Sequence, residues 1–285
     1  MNSADYEYLS NYLIGTSGLA LGEGKEYLLE ARLIPLAQSL GMSGIEELVE
    51  VLKNNPEPKV ASAVTEAMTT NETSFFRDKS PFVELQNKLL PTVIENNKTS
   101  KKLRIWCAAA ATGQEPLTIQ MVLKENFPEL NQWNVEIVCT DIDAQALTRC
   151  EKGIYSQFEV QRGLPVQFLM KYFDQCPSGW QAKQSLFEGI TWTQLNLLNN
   201  FNQLGKFDIV FCRNVLIYFQ NETKKDILDR IFLNMNPGGF LYLGAAETVL
   251  GISDYFERFK ECSSAVYKLS GNSSPSKKPA RAVST

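Results

Sequence analysis

Leu103-Arg104-Ile105-Trp106-Cys107-Ala108-Ala109-Ala110-Ala111-Thr112-Gly113-Gln114-Glu115-Pro116 is the stretch that decides the fold. Its first six residues read as a strand. Four small residues and a Gly follow, and they let the backbone come close to a ligand. Pro116 suits the first turn of a helix. Strand, small-residue loop and helix together read as the opening unit of a parallel α/β sheet. On this loop alone, a ligand cradle and an ordinary strand–helix turn fit equally well. The loop is not G-x-G-x-x-G and no Walker pattern occurs in the chain, so a ligand without a pyrophosphate is favoured. S-adenosylmethionine fits that description, being a nucleoside joined to an amino acid through a cationic sulfonium.

Downstream, strands alternate with helices. Candidate strands cover 103–108, 135–140, 189–195, 207–211, 240–244 and 265–269. Helices are expected at about 116–126, 144–150, 223–234 and 249–256, with Pro237-Gly238-Gly239 as a turn before the fifth strand. Residues 151–187 exceed what a crossover needs and read as an inserted subdomain. The Ser/Pro/Lys/Ala-rich tail, 271–285, is expected to be disordered. Upstream, residues 1–70 read as an all-helical domain. Ser3 or Asp5 would cap a first helix ended by Gly15 and Gly18. A second would run from about 24 to 40, with Leu28, Leu29, Leu33 and Leu36 inward and a kink or break at Pro35. Ser43 would cap a third carrying Ile45, Leu48, Val49 and Leu52, and a fourth would span 58–68. A linker and a helix at about 81–95 fill 71–102, and the α/β domain is 103–270.

In open α/β sheets, ligands bind beyond the carboxyl ends of the strands. The second strand ends in Thr140-Asp141-Ile142-Asp143. Asp143 is expected to cap the next helix, leaving Asp141 to accept hydrogen bonds from ribose hydroxyls. Asn196-Leu197 follow the third strand, where an adenine edge could be read, although Asn there is also a common turn residue. The fourth strand delivers Arg213, Asn214 and Tyr218. An Arg directly after the apolar run 209–212 must be paired or solvated. A surface Arg at a strand end is the alternative.

The chain has 285 residues, a formal net charge of −4, six Cys and no His. The acidic balance offers no field for nucleic acid. No apolar run is long enough to span a bilayer, and the polar, acidic N-terminus reads as free of a secretory leader. The Cys form no CxxC pair, and Cys107, Cys139 and Cys212 sit in apolar strands. They read as buried thiols of a reducing, cytoplasmic compartment, with no metal site. Without His, acid–base and metal chemistry that depends on imidazole is excluded, which favours a reaction needing little proton management.

Two further stretches carry a family resemblance: Asn71-Glu72-Thr73-Ser74-Phe75-Phe76-Arg77-Asp78 and Phe211-Cys212-Arg213-Asn214-Val215-Leu216-Ile217-Tyr218-Phe219. In this order, with a matching middle, they resemble the two signatures of the chemotaxis-receptor glutamate O-methyltransferases, the CheR family. The resemblance runs to about residue 269. It implies an α/β class I S-adenosylmethionine-dependent methyltransferase domain (Rossmann-like) with a small inserted β-subdomain, preceded by an all-α N-terminal domain. It implies cofactor contacts at Asn71, Thr73, Arg77, Ala108, Gly113, Glu115, Asp141, Asn196, Leu197, Arg213 and Asn214. Arg77 and Tyr218 would arrange the reacting groups, and S-adenosylhomocysteine would be the product. The expected partner is the cytoplasmic helical bundle of chemoreceptors, met by a monomer without insertion into the membrane. Lys25 and Arg32 would contribute to that contact. The short turn at Pro177-Ser178-Gly179 implies no requirement for a receptor C-terminal pentapeptide. The sequence departs from the family pattern at Cys107, Ala111, Gln114 and Leu117. A methyltransferase of small molecules or nucleic acid, and a non-catalytic S-adenosylmethionine-binding module, are the alternatives. The acidic charge counts against the first, and the presence of both Arg77 and Tyr218 against the second.

Overall fold

The computed structural model describes residues 1–22, 24–54 and 56–270; the tail expected to be disordered lies outside the described residues. Four helices open the chain: α1 (Ser3–Ser17), α2 (Glu26–Ser39), α3 (Ile45–Lys53) and α4 (Pro58–Met68). Leu9, Leu13, Leu29, Leu33, Leu48 and Val64, all fully buried, form their common core. Such side chains each contribute about 1.5–3 kcal/mol when removed from water.

Several details differ from the sequence expectations. Asn2, not Ser3 or Asp5, caps α1 by accepting from Asp5 N–H at 2.8 Å. Gly15 lies inside the helix, and only Gly18 ends it, in the left-handed conformation. Helix α2 runs unbroken through Pro35. Ala31, whose carbonyl loses its partner there, is exposed, so water can take the hydrogen bond. Leu28 and Leu36 are only partly buried, while Ala37 joins Leu29 and Leu33 in the core. Gly44 occupies the cap of α3, and Ser43 instead donates its N–H and hydroxyl to Glu47, each at 2.7 Å. Arg32 does not present its charge as a free surface group. Its guanidinium donates to the carbonyls of Met68 (2.8 Å) and Thr69 (2.6 Å) and reaches Thr70 Oγ1 (3.1 Å), so it fastens the end of α4.

A connecting segment follows: α5 (Ser80–Glu84), a π turn (Leu85–Leu89) and α6 (Leu90–Asn97). Pro91 lacks the N–H that an α ladder would need, and the wider turn lies just ahead of it.

The second layer system comprises β1 (Lys102–Ala108), α7 (Gln114–Asn126), β2 (Asn134–Asp141), α8 (Ala144–Lys152), β3 (Ile154–Tyr155), α9 (Gln157–Gln161), α10 (Val166–Tyr172), β4 (Phe173–Cys176), β5 (Gly179–Ala182), β6 (Ile190–Gln194), β7 (Phe207–Cys212), α11 (Asn221–Leu233), β8 (Met235–Leu243), β9 (Phe256–Arg258) and β10 (Val266–Leu269). The main sheet has the order β6-β2-β1-β7-β8-β10-β9. Its first five strands are parallel and β10 is antiparallel to both neighbours. Strand order therefore reverses between β1 and β7, which opens a crevice at their carboxyl ends. Period-two alternation builds the two faces: Leu103, Ile105 and Cys107 of β1 enter one core, Trp106 and Ala108 the other. Trp106 donates to Thr140 Oγ1 at 2.9 Å and stacks on Phe207 with centroids 5.5 Å apart.

Pro237-Gly238-Gly239 is not a turn ahead of β8 but a bulge within it. Phe207 pairs with Met235, and Ile209 with Phe240, so residues 236–239 oppose Asp208 alone. Asp208 holds the bulge by accepting from Asn236 Nδ2 at 2.9 Å. A Cβ on Gly239 would stand 2.8 Å from Asp208 O, which excludes any other residue there. The expected helix at 249–256 is absent: left-handed Gly251 (φ 72°) breaks it, and Phe256 begins β9.

The inserted residues form a three-stranded antiparallel sheet, β3-β5-β4, and are keyed to the linker. Phe75 lies edge-on to Tyr155 (5.0 Å) and Phe173 (5.6 Å), whereas Phe76 stacks on Phe168 (5.5 Å). Gly163, at φ 94°, meets the Phe75 carbonyl so closely that a Cβ would stand 2.1 Å from it. Arg162 pairs with Glu72 beside this contact.

Glu84 ties α5 to the β9–β10 loop. Its Oε1 accepts from Ser263 N–H (2.6 Å) and hydroxyl (2.8 Å), and Ser264 N–H approaches both oxygens. Burial would raise its pKa, but the bonds from Ser264 and Ser263 outweigh burial and hold it below the usual value. A lowered carboxylate pKa stabilises the fold above the unfolded-state value, and that stability is lost as pH falls through the folded one. Glu84→Gln is expected to cost about 1–3 kcal/mol at neutral pH. Urea unfolding across a pH series checks it: the deficit should shrink below the ordinary Glu range, and a pH-independent deficit would refute this assignment.

Candidate functional site

A cleft lies at the carboxyl ends of β1, β2 and β7. Its floor is Ala109, Ala110 and Ala111, with Asp141 and Ile142 after β2 and Leu195, Asn196 and Leu197 after β6. Arg213, Asn214, Val215 and Tyr218 close one side, and the linker residues Asn71, Thr73 and Arg77 another. The helical domain supplies the remaining wall through Ser17 at the end of α1, Leu19 after it, and Thr65 and Met68 of α4.

The β1 loop is held in an uncommon conformation. Ala109 (φ 62°), Ala111 (φ 48°) and Gly113 (φ 90°) are all left-handed. Ala110 N–H donates to Thr140 O at 2.9 Å, and Ala111 N–H to Asp141 Oδ2 at 2.8 Å. Cys150 Sγ reaches Ala111 O at 3.2 Å, and Tyr155 donates to Thr112 O at 3.0 Å. Asp141 also accepts from Asp143 N–H, at 2.9 Å through Oδ1. Burial pushes its carboxyl up, against the opposing N–H groups of Asp143 and Ala111. Each oxygen accepts one protein bond and keeps a second lone pair. Asp143 caps α8 as expected, accepting from Gln145 and Ala146 N–H.

Arg213 is a buried charge of the site, its side chain 2 % exposed. It donates to Glu115 Oε2 (2.9 Å), Asp78 Oδ2 (2.7 Å) and Arg77 O (3.2 Å). Its Nε is buried without a protein partner. Burial raises the Glu115 pKa, opposed by the Arg213 guanidinium and, more weakly, by Arg77. The linker turn these bonds hold is itself strained, with Phe76, Asp78 and Lys79 all at positive φ. Arg77 donates to Glu72 O at 2.9 Å and lines the cleft.

The β7 loop hangs on Glu247, which is 8 % exposed. This carboxylate accepts three backbone N–H groups: Gly244 (2.6 Å), Asn214 (2.8 Å) and Ile217 (3.2 Å). It keeps Asn214 left-handed (φ 59°) and turns Tyr218 toward the cleft. Among the described residues, the Tyr218 hydroxyl has no hydrogen-bond partner.

Of the residues singled out in the sequence, ten line the cleft: Asn71, Thr73, Arg77, Glu115, Asp141, Asn196, Leu197, Arg213, Asn214 and Tyr218. Ala108 and Gly113 do not. Ala108 is buried in the sheet, and Gly113 packs where a Cβ would stand 3.0 Å from Cys150 Sγ. Two cleft residues have their side chains engaged elsewhere. Asn71 Nδ2 donates to Asp143 Oδ2 at 2.6 Å, and Asn196 Nδ2 to Thr16 O at 2.6 Å. The departures are absorbed inside the fold: Gln114 accepts from Thr112 Oγ1 at 2.8 Å, and Leu117 is core. The sequence reading missed Glu247 and the wall from the helical domain. Only the Gly18 stop signal pointed toward the latter.

Three carboxylates (Glu72, Glu115, Asp141) and two guanidiniums (Arg77, Arg213) line the cleft, leaving one negative charge. That balance suits a ligand with a net positive charge. The apolar floor suits an aromatic base, and the orphan Arg213 Nε an additional acceptor such as a carboxylate. The donor set therefore fits S-adenosylmethionine.

Comparison with known proteins agrees. "CheR methyltransferase, all-alpha domain" matches residues 4–69 and "CheR methyltransferase, SAM binding domain" matches 71–265. The chain is 41 % identical over 267 residues to "Chemotaxis protein methyltransferase Cher2" of Pseudomonas putida, covering 92 % of this chain and 96 % of that protein. It is 39 % identical over 271 residues to "Chemotaxis protein methyltransferase 1" of Pseudomonas aeruginosa, covering 93 % and 98 %. The helical bundle, the reversed parallel sheet and the cleft between them are thus those of a member of the CheR methyltransferase family, to which this chain belongs.

Proposed function

We propose that this protein methylates glutamate side chains of chemoreceptors, using S-adenosylmethionine and leaving glutamyl methyl esters that tune chemotactic adaptation. The observation that carries this reading is the unpartnered Tyr218 hydroxyl in a cleft shared with Arg77, in a chain without His. A Glu carboxylate, with a pKa of about 4.3, is ionised at neutral pH and needs no general base. An amine or exocyclic base nitrogen would need one. The relatives' names, and the length over which they match, support the chemotactic setting.

When bound, S-adenosylmethionine supplies a methyl group already activated by its sulfonium. The chain's task is then positioning and charge management, worth up to roughly 7–11 kcal/mol for well-aligned reactants. Asp141 would accept from ribose hydroxyls through its free lone pairs. Arg77 and Arg213 would hold carboxylates, and Glu115 would balance the charge of a cationic ligand. Leu197 and Asn214, which line the cleft, would help to hold the nucleoside. Tyr218 orients the attacking carboxylate through its hydroxyl, and Glu247 keeps Tyr218 in place by fixing the loop. Asn71 and Asn196 act through what they anchor, the Asp143 carboxylate and the Thr16 carbonyl, and Thr73 borders the cleft.

The same reading has a monomer acting in the cytoplasm, where the helical domain meets the receptor's helical bundle. No helix among the described residues is long and apolar enough to cross a membrane. Lys25 is exposed on that domain, whereas Arg32 is drawn back into the fold. Independence from a receptor tail peptide is supported by the tight β4–β5 turn, where Cys176 pairs with Gly179 across Pro177-Ser178. Edge strand β4 also carries the charged Asp174, paired with Lys183 at 3.5 Å, which blunts strand addition.

Asp141→Ala is expected to weaken S-adenosylhomocysteine binding by about 1.5–3 kcal/mol. Calorimetric titration checks it, and unchanged affinity would remove Asp141 from the ligand. Glu247→Gln presents an amide donor to N–H groups that need acceptors. It is expected to lower kcat by about 10-fold or more, with a smaller change in cofactor affinity. Equal kcat in steady-state assays would refute its role. Labelled cofactor and receptor-containing membranes test the reaction itself. Label should be released as volatile methanol by mild alkali, and alkali-stable label would indicate a nitrogen acceptor. Receptors lacking their last few residues should be methylated equally well; lost methylation would show that the tail is gripped.

A further inference from the structure

We infer that the C-terminal turn of α1 is a positioning element for Tyr218, so that the helical domain acts on turnover and not only on partner capture. The inference rests on the assignment of Tyr218 to the reacting groups. Four contacts converge there. Ala20 N–H donates to the Tyr218 carbonyl at 2.9 Å. Gly18, left-handed at φ 77°, sits against the next residue: a Cβ on it would stand 2.8 Å from Phe219 Cδ1 and 3.1 Å from Leu198 Cδ2. Asn196 Nδ2 takes the Thr16 carbonyl, one of the four that a helix end leaves without an intrahelical partner. Ser17 and Leu19 reach the cleft itself.

Tyr218 ends a single short turn, Leu216–Tyr218, whose middle residue, Ile217, is 48 % exposed. Glu247 fixes the near side of this turn through Ile217 N–H. On the far side, the carbonyl of Tyr218 and the ring of Phe219 rest on Gly18–Ala20, just past the end of α1. A segment gripped at one end only would let the hydroxyl wander, and a displacement of about 1 Å can cost 100-fold in rate. Gly18 is the tightest point of the contact, because both its backbone conformation and the space beside it exclude a side chain.

The test uses the full chain with receptor-containing membranes and labelled S-adenosylmethionine. Gly18→Ala, Tyr218→Phe and the double variant are compared by kcat, KM for cofactor, calorimetric affinity for S-adenosylhomocysteine and thermal unfolding. Gly18→Asn, which tolerates left-handed backbone but carries the same Cβ, replaces Gly18→Ala if the latter does not fold. Gly18→Ala is expected to lower kcat by about 10- to 100-fold while changing KM and affinity less than about twofold, a split that general destabilisation does not produce. In the Tyr218→Phe background the same substitution should add little, since both act through one hydroxyl. Wild-type kcat in folded Gly18→Ala beside a slow Tyr218→Phe would overturn the inference and leave the Tyr218 assignment standing. Multiplicative losses in the double variant would also overturn it. Full activity in Tyr218→Phe would instead remove the assignment on which the inference rests.

Discussion

The buried pairing of Arg213 with Glu115 and Asp78 is the constraint on which the rest of the site depends. A guanidinium with only 2 % of its side chain exposed would be untenable at the end of an apolar strand without such partners. Its partners come from two directions: the first turn of α7 and the linker turn at residues 76–79. Because that turn uses left-handed backbone at three non-Gly residues, it needs an external anchor, and Arg213 supplies one. Removing one partner of such a group leaves an uncompensated buried charge, typically costing about 3–5 kcal/mol. Electrostatics here therefore determine geometry as much as affinity.

Around this anchor the site follows a consistent plan. Groups that line the cleft are held by carboxylates at its edge and behind it. Asp141 fixes the Ala109–Ala111 loop, Asp143 fixes Asn71, and Glu247 fixes Asn214 and Tyr218. Each of these carboxylates accepts backbone or amide N–H groups, bonds stronger than neutral ones and well suited to rigid placement. Positioning reacting groups, rather than moving protons, is what such an arrangement does well.

The sheet was legible in the sequence because its strands are apolar runs bounded by turn signals, and the strand-end residues followed from where such sheets bind ligands. What stayed hidden depends on partners distant in the chain. Asn196 looked like a reader of an adenine edge, yet its amide caps a helix end 180 residues away. Glu247 follows two alanines and carries no local signature; only the fold brings Asn214 and Ile217 to it. Arg32 looked like a surface cation, but the carbonyls that capture it belong to the end of α4. The Pro237-Gly238-Gly239 bulge obeys the usual turn chemistry while remaining inside a strand, because Asp208 supplies an acceptor that holds it.

The contact of Gly163 with the Phe75 carbonyl changes the meaning of the insertion. Along the chain, residues 151–187 hang between α8 and β6 like an optional appendage. In space, their small sheet takes Phe75 into its core, and Arg162 meets Glu72, so the segment that carries Asn71, Thr73 and Arg77 is braced from this side. Trimming the insertion would therefore leave the linker without its outer support, even though not one residue of the cleft would have been deleted. Modularity drawn along a sequence is a statement about covalent order. Here the mechanical unit joins pieces from three separate stretches of chain, and a graft or truncation that respects the first kind of boundary would cut through the second.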